Sequence, residues 1–255
     1  LRVHPRCGCA QGGVRVSFQR RASAFDLGRR MDARFMARAG GGPPPFSYDD
    51  IPSQLLRINS LEGSLAFSGA VLTGVTDVSP VGGTVNVTGS PTYTATDSGL
   101  NGAPSFTIVA ASSVIAPNVN RASIRFVAAV WYRDSTAGRY VNDGTVASNR
   151  FFSSFNPDGN VQNSYGSYLA AATLEPTVGR KRCLFPNDGV TAGKLNAITL
   201  SALPVGTASG NGLRIGDSYV NTAFGARLAF FMACSAVPSA PLLASLEAKL
   251  ITDFG

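Results

Sequence analysis

Residues that could carry out hydrolysis are scarce in this chain. Glycoside hydrolysis needs two carboxylates held about 5 to 9.5 Å apart, which on one β-strand means acidic residues at alternate positions. No apolar segment contains such a pair, and the three glutamates, Glu62, Glu175 and Glu247, are isolated. A serine triad needs a histidine, and the only one is His4, close to the start of the chain. We therefore expect no catalytic residues and no enzymatic activity.

Metal and thiol chemistry is equally limited. The four cysteines, Cys7, Cys9, Cys183 and Cys234, do not form a convincing disulfide framework for a chain of 255 residues, so we expect free thiols. His4, Cys7 and Cys9 lie close together but lack the fourth ligand and the spacing of a zinc site. We expect no bound metal and no cofactor.

Sugar binding is the one chemistry for which suitable side chains are grouped in the sequence. Lectin sites combine aromatic platforms with Asn and Asp at loop tips, sometimes with calcium. The candidate glycan-binding rim comprises Trp131, Tyr132, Asp134, Tyr140, Asn142, Asp143, Asp158 and Asn160. A structural interpretation competes with it, because Trp131 and Tyr132 end an apolar strand, where one of them is usually core, and turn Asp residues mostly bind their own backbone.

The elements that would position such a rim are β-strands. Short β-branched and aromatic runs alternate with Gly, Pro, Asn and Asp turns from Ile51 onward, and lysine and glutamate number only 3 each. The predicted strands are 64–71, 84–88, 105–109, 123–132, 139–141, 150–154, 196–202, 212–215 and 226–233. Tight turns are expected at 142–144, 156–159 and 187–189. This pattern predicts an all-β antiparallel sandwich over residues 51–255.

The end of the chain departs from this pattern. After Pro238, Ser239 is placed to cap a helix in which leucines and an isoleucine recur at helical spacing: Leu242, Leu243, Leu246, Leu250 and Ile251. We expect this helix to cover an edge or a face of the sandwich.

The excess of positive charge is confined to the other end. The first 45 residues hold nine arginines and two aspartates, while the remaining thirteen basic and thirteen acidic residues cancel, so the net charge of +7 lies there. A helical stretch at 23–39 is followed by Gly40–Gly42 and by Pro43–Pro45, a stiff spacer. Residues 1–50 are thus predicted to be a basic arm that anchors the chain to a larger assembly. The residues expected to contact that assembly are Arg15, Arg20, Arg21, Arg29, Arg30, Arg34, Arg38, Phe25 and Phe35.

The order of several motifs resembles a known family. The stretches 75–108, with Leu100 to Phe106, and 213–229, followed by the terminal helix, look like the opening and close of concanavalin A-like, laminin-G-type jelly-roll domains common in bacteriophage and bacterial surface proteins. The resemblance covers roughly Ile58 to Gly255. The usual acidic residue of the penultimate strand is replaced by Ala229, Phe230 and Phe231, which suggests that a partner buries this face.

The resemblance implies a jelly-roll domain that binds glycans, cleaves glycans or has a structural role. Because the carboxylate pair is missing, we do not expect glycan cleavage. A basic arm on a neutral sandwich suits a virion structural protein, a head decoration, head fibre or tail-fibre subunit, whose arm docks on capsid or tail proteins. We expect a homo-oligomer, such as a trimer, that is assembled in the host cytoplasm and makes no membrane contact.

Two alternatives stay open. A jelly-roll capsid protein would use the arginine arm to bind packaged nucleic acid, and such binding would weaken steeply with salt. A surface lectin would bind a host glycan through residues 51–255 alone, and changes at Trp131 or Asp143 would weaken that binding.

Overall fold

The computed structural model describes residues 45–107, 112–134, 178–202, 210–215 and 226–255, together with the backbone of five short strands between residues 150 and 174. The chain divides into two units, Leu1–Pro45 and Phe46–Gly255. All but one of the described residues belong to the second unit. This unit includes Tyr48, which is buried in a core, so it begins before the boundary at Ile51 that the sequence suggested.

The fold is an antiparallel β-sandwich with one C-terminal helix, as the sequence predicts. Its strands are β1 (Gln54–Asn59), β2 (Leu65–Ser68), β3 (Val71–Val75), β4 (Asn86–Thr88), β5 (Thr92–Thr94), β6 (Ser105–Thr107), β7 (Ser113–Asn120), β8 (Phe126–Arg133), β9 (Arg150–Phe151), β10 (Ser154–Phe155), β11 (Asn160–Gln162), β12 (Tyr165–Gly166), β13 (Thr173–Leu174), β14 (Gly179–Pro186), β15 (Gly193–Leu195), β16 (Ile198–Leu200), β17 (Asn211–Ile215) and β18 (Ala226–Cys234). The helix is α1 (Ala240–Phe254). Short 3₁₀ turns lie at Tyr48–Asp50, Ser60–Glu62, Ser98–Leu100 and Arg121–Ser123.

The larger sheet has ten strands in the order β16-β15-β14-β8-β18-β6-β5-β3-β2, and β1 pairs with the length of β18 beyond β6. The second described sheet has the order β17-β7-β4. Two smaller ribbons, β10-β11-β13 and β12-β9, complete the described pairings. Among the described strands, β2 and β16 therefore lie at the two ends of this order, and β1 pairs with β18 alone.

Strand β8 buries side chains on both faces. Val127, Ala129 and Trp131 point into the core between the sheets. Phe126 and Val130, on the opposite face, lie in a second core beneath α1. Strand β8 is therefore a central strand that is covered on both sides.

Helix α1 covers the outer face of the larger sheet, as expected of the terminal amphipathic segment. Ser239 is its N-cap residue by position, with no side-chain hydrogen bond, and Pro241 lies in the first turn. Leu246, Leu250 and Phe254 are its buried residues. Among the helices in the described ranges, none is long and apolar enough to span a membrane.

The expectation that a partner buries the Ala229–Phe231 face is wrong. Phe230 packs against Tyr48 and Phe254, with ring centroids 4.9 and 5.9 Å away, and is fully buried within this chain. Phe231 points the other way, into the core between the sheets. The chain's own N-terminal turn and C-terminal helix therefore supply the cover.

The predicted strand 64–71 is also wrong, because the segment folds as a hairpin. Strand β2 ends at Ser68 and β3 begins at Val71, with Gly69 in the turn at φ +59°. This left-handed conformation suits glycine, and it reverses the chain where the apolar pattern alone indicated continuation.

Candidate functional site

Most of the predicted glycan-binding rim lies outside the described residues. Tyr140, Asn142, Asp143 and Asp158 are among these, as is the side chain of Asn160, whose backbone belongs to β11. The arm residues Arg15, Arg20, Arg21, Arg29, Arg30, Arg34, Arg38, Phe25 and Phe35 lie outside them as well. Trp131, Tyr132 and Asp134 can be placed.

Trp131 does not provide a sugar-binding surface. Its indole is 1% exposed and belongs to the core between the sheets, so the prediction of a platform is wrong for this residue. Tyr132 lies on the opposite face of β8, where the Arg227 guanidinium sits 4.8 Å from its ring centroid. The ring also contacts Gly99, where a Cβ atom would come within 2.3 Å of it, so only glycine fits there.

Asp134 belongs to a cluster of ion pairs rather than to an open site. Arg227 contacts its carboxylate at 3.3 Å and the buried Asp97 at 2.8 Å. Asp97 also accepts hydrogen bonds from the Gly99 amide and the Ser105 hydroxyl. Burial raises the pKa of Asp134, the Arg227 charge opposes this shift, and the Asp97 charge adds to it. These contacts fix the turn 97–100 against β8 and β18.

All nine acidic residues in the described ranges have such structural partners. Asp77 accepts three backbone N–H groups, from Arg57, Ser79 and Gly83. Burial alone would raise the pKa of Asp188, but hydrogen bonds from Thr191 and Val190 hold it below its usual value. The others are bound as follows: Asp49 and Glu62 by Arg57, Asp50 by the Ser47 amide, Asp253 by Tyr48 and Lys249, and Glu247 by Lys194. In these ranges no group of three His, Cys, Asp or Glu residues is placed to hold a metal ion.

The two described cysteines, Cys183 and Cys234, are free and buried, as expected for thiols. Burial raises the pKa of Cys183 well above its ordinary value and raises that of Cys234 to about 12. We expect that, with Cys7 and Cys9 replaced by serine, neither thiol reacts with a thiol reagent at pH 8, because the thiolate is the reactive form. Two thiols should react once denaturant is added, and rapid reaction of the folded protein would contradict the burial.

An aromatic pair at the β2 edge is the most accessible arrangement suited to binding. Phe67 on β2 and Tyr93 on β5 stack with ring centroids 4.0 Å apart and an interplanar angle of 7°. Phe67 is 53% exposed, whereas Tyr93 is partly buried and packs against the core. The pair offers a flat, solvent-exposed aromatic surface, which we call the aromatic platform.

The strand register places the aromatic platform on the same face of the larger sheet as the core residues. The platform lies at the border of that core, where Phe67 is exposed. Phe67 pairs with Leu72, and Tyr93 pairs with Phe106, and both partners are core residues. Directly opposite residues on antiparallel strands share a face. The sequence does not predict the platform, because the apolar run 64–71 indicates one continuous strand and does not reveal that β3 lies between β2 and β5.

A concave feature lies between α1 and the strands β14 and β15. It is a cleft of about 240 Å³, lined mainly by aliphatic side chains and bounded by the Lys194–Glu247 ion pair: Leu184, Pro186, Ala192, Lys194, Ala240, Leu243, Ala244 and Glu247. Its walls are continuous with the core beneath the helix, so it is best explained as incomplete packing at the helix border.

Comparison with known proteins supports the fold. No protein-family model matches the chain, and no curated protein does. Among solved structures, domain 4 of AbnA, a GH43 extracellular arabinanase from Geobacillus stearothermophilus, in complex with arabinotriose, has a TM-score of 0.54 at 11% identity, covering 76% of this chain and 98% of that one. The binding domain of Botulinum neurotoxin DC in complex with SialylT has a TM-score of 0.52 at 12% identity, covering 78% and 52%.

The catalytic proteins among these structures are much longer than this chain. A Trypanosoma rangeli sialidase in complex with sialic acid has a TM-score of 0.52 at 12% identity, covering 82% of this chain and only 34% of its own. At such identities the likeness shows the fold alone. The chain therefore has the concanavalin A-like β-sandwich fold that the resemblance in its sequence implies.

Proposed function

We propose that the chain is a non-catalytic, lectin-like glycan-binding module displayed on a virion, with residues 1–45 as its anchor. The observation that carries the binding role is the aromatic platform, because a half-exposed phenylalanine stacked on a second ring is poorly explained by packing. Aromatic rings are a common means by which proteins hold the apolar faces of sugars.

The environment of the carboxylates supports binding rather than cleavage. A glycosidase needs one carboxyl group that can donate a proton and a second that attacks or activates water. Every described carboxylate instead accepts hydrogen bonds or pairs with a cation in a way that fixes a turn, a strand or the helix. Groups used in this way are committed to structural contacts rather than left free to react with a substrate.

The similar structures favour the same role. One is described in complex with arabinotriose and is matched over 98% of its length, and another is a binding domain in complex with SialylT. The sialidase is matched over about a third of its length. The shared fold is therefore compatible with a module that binds sugars without cleaving them.

The position of the charge favours an anchor at the N-terminus. All of the net +7 charge lies in the first 45 residues. The next residues are firmly held: Tyr48 donates a hydrogen bond to Asp253 at 2.7 Å, and the Gln54 amide donates to the carbonyls of Tyr48 and Ile51. The displayed body would therefore be firmly structured from Tyr48 onward, and the residues before it would be left to act as the anchor.

Deleting residues 1–45 tests the anchor. We expect the truncated protein to remain folded and soluble but to be missing from purified virions, because the basic residues that dock on the particle are gone. The measurement is an immunoblot of virions from cells that produce either form. Phe67→Ala is the matched control, since it changes the platform and leaves the anchor intact, and it should be incorporated normally. Normal incorporation of the truncated protein would refute the anchor.

The charged segment also favours one second candidate, a capsid protein that binds packaged nucleic acid. Nine arginines in the first 45 residues would release counterions from phosphate and make binding steeply salt-dependent. A sizing column with absorbance at 260 and 280 nm separates the two functions. A shell-sized, nucleic-acid-laden peak that requires residues 1–45 supports the capsid protein, whereas a small nucleic-acid-free oligomer supports the displayed module.

A further inference from the structure

We infer that the aromatic platform is the sugar-binding site and that its ligand is a neutral glycan, bound through the apolar face of one sugar ring on Phe67. The inference rests on the proposed function and adds to it a site and a ligand class. Three features carry it: the exposed ring face, the rigid support beneath it and the lack of charged residues in the two segments that form it.

The ring face is the first feature. Stacking at 4.0 Å covers one side of Phe67 with Tyr93, so the 53% of Phe67 that remains exposed includes the opposite side. The face of an aromatic ring carries partial negative charge, and it attracts the weakly positive C–H groups of a sugar. The hydroxyl groups of the sugar can meanwhile stay in water or bind polar groups nearby.

The second feature is the support that fixes the ring before any ligand arrives. The Leu72 amide donates a hydrogen bond to the Pro91 carbonyl at 2.9 Å, and the Tyr93 amide donates to Ala70 at 2.7 Å. These bonds join the β2-β3 hairpin to β5. They therefore fix the strands that carry Phe67 and Tyr93 relative to each other. A ring held in place in this way loses little conformational entropy on binding.

The sequence around the platform leaves space for a ligand. Ala70, next to the start of β3, lies opposite Tyr93 and is exposed, so this position adds only a methyl group beside the stacked rings. The hairpin turn, which includes Gly69, is exposed as well.

The third feature is charge. Residues 63–76 and 78–96 contain no Asp, Glu, Lys or Arg. Asp77, between these segments, is buried and accepts three backbone hydrogen bonds. An acidic sugar would lose water on binding and gain no cation from these two segments in return, which costs free energy. A neutral sugar carries no such cost, so the platform should discriminate against sialylated ligands.

A glycan-binding assay on the full chain tests both parts of the inference. The probes are arabinotriose, cellotetraose, N-acetyllactosamine and the sialylated form of N-acetyllactosamine, each immobilised at matched density. We expect binding to at least one neutral probe and no gain from the sialic acid. Phe67→Ala should weaken the binding about tenfold, which corresponds to the loss of one strong contact residue.

Two variants serve as controls for the assay. Phe67→Tyr keeps the ring face and should bind within about threefold of the unchanged protein. Val190→Ala changes a side chain that is 84% exposed beyond β14, toward the opposite edge of the larger sheet, and should have no effect. Circular dichroism of each variant verifies that it is folded.

The possible outcomes separate the inference from the proposed function. Neutral binding that Phe67→Ala leaves unchanged would overturn the site while leaving a glycan-binding module. Preference for the sialylated probe would overturn the ligand class. Binding to none of the probes would overturn glycan binding itself. Self-association that is lost in Phe67→Ala, without binding to any probe, would show that the platform pairs with a second copy of the chain and would overturn the inference.

Discussion

Phe230→Ala is expected to lower the free energy of unfolding by about 3–5 kcal/mol, because the change leaves a cavity in a closed core. The ring is fully buried and lies between Tyr48 and Phe254, so it joins the N-terminal turn, strand β18 and helix α1. Urea unfolding followed by circular dichroism measures the loss. The effect should be independent of protein concentration, since the cover over Phe230 comes from the same chain.

Phe67→Ala is the matched control for this prediction. It removes the same atoms from a residue that is 53% exposed, so we expect a change of only about 0.5 kcal/mol. A small effect of Phe230→Ala, or one that becomes large only on dilution, would contradict the structure. Dilution dependence in particular would indicate that a partner subunit shares this core.

The fold class could be predicted from composition and turn spacing, because an antiparallel sandwich needs many short strands and frequent chain reversals. The terminal helix was also predictable, since leucines at helical spacing after Pro238 have no comparable competing pattern. The face it covers was not predictable. The apolar side chains of Ala229 and Phe230 are compatible with a partner subunit or with the chain's own helix, and only the tertiary contacts decide.

Strand β14 shows why several strands were missed. It begins with Gly179, Arg180, Lys181 and Arg182, a run that suggests a solvated loop. Lys181 is nevertheless only 2% exposed, because it pairs with Trp131 of β8 on the inward face of the sheet. A buried cation breaks the alternation of polar and apolar residues on which strand prediction depends. Strand β7 was missed for a related reason, because it contains Pro117.

The site was harder to predict than the fold. Trp131 drew attention as the single tryptophan, but a large aromatic residue at the end of an apolar strand is buried more often than displayed. Phe67 lies in an equally apolar segment and is exposed because β2 is the edge strand of its sheet. Local sequence does not encode which strand becomes an edge, so exposure of this ring depends on the whole topology.

The association with a virion rests on different support from the fold. The order of sequence motifs resembles phage jelly-roll proteins, while the similar solved structures are an arabinanase domain, a toxin binding domain and a sialidase. These share the sandwich and not a biological setting. The virion role therefore remains a proposal that depends on the basic segment, and the deletion of residues 1–45 tests it directly.

Alkaline pH should destabilise the protein through Tyr48. Burial first, and then the hydrogen bond to Asp253, raise the pKa of Tyr48 above its ordinary value. In the unfolded chain a tyrosine releases its proton near pH 10, whereas in the folded protein Tyr48 keeps it. The stabilisation is therefore complete below about pH 10 and falls by about 1.4 kcal/mol for each pH unit above it.

Tyr48→Phe isolates this contribution. Near pH 7 the variant should be less stable by about 1.5–3 kcal/mol, the usual value of a hydrogen bond to a charged group. Because phenylalanine cannot ionise, the two curves of unfolding free energy should converge between pH 10 and about pH 12. Asp253→Asn is the control: it keeps Tyr48 buried, so most of the alkaline loss should persist. Parallel curves for Tyr48→Phe and the unchanged protein would show that Tyr48 ionises equally in both states, which its burial between Phe230 and helix α1 does not allow.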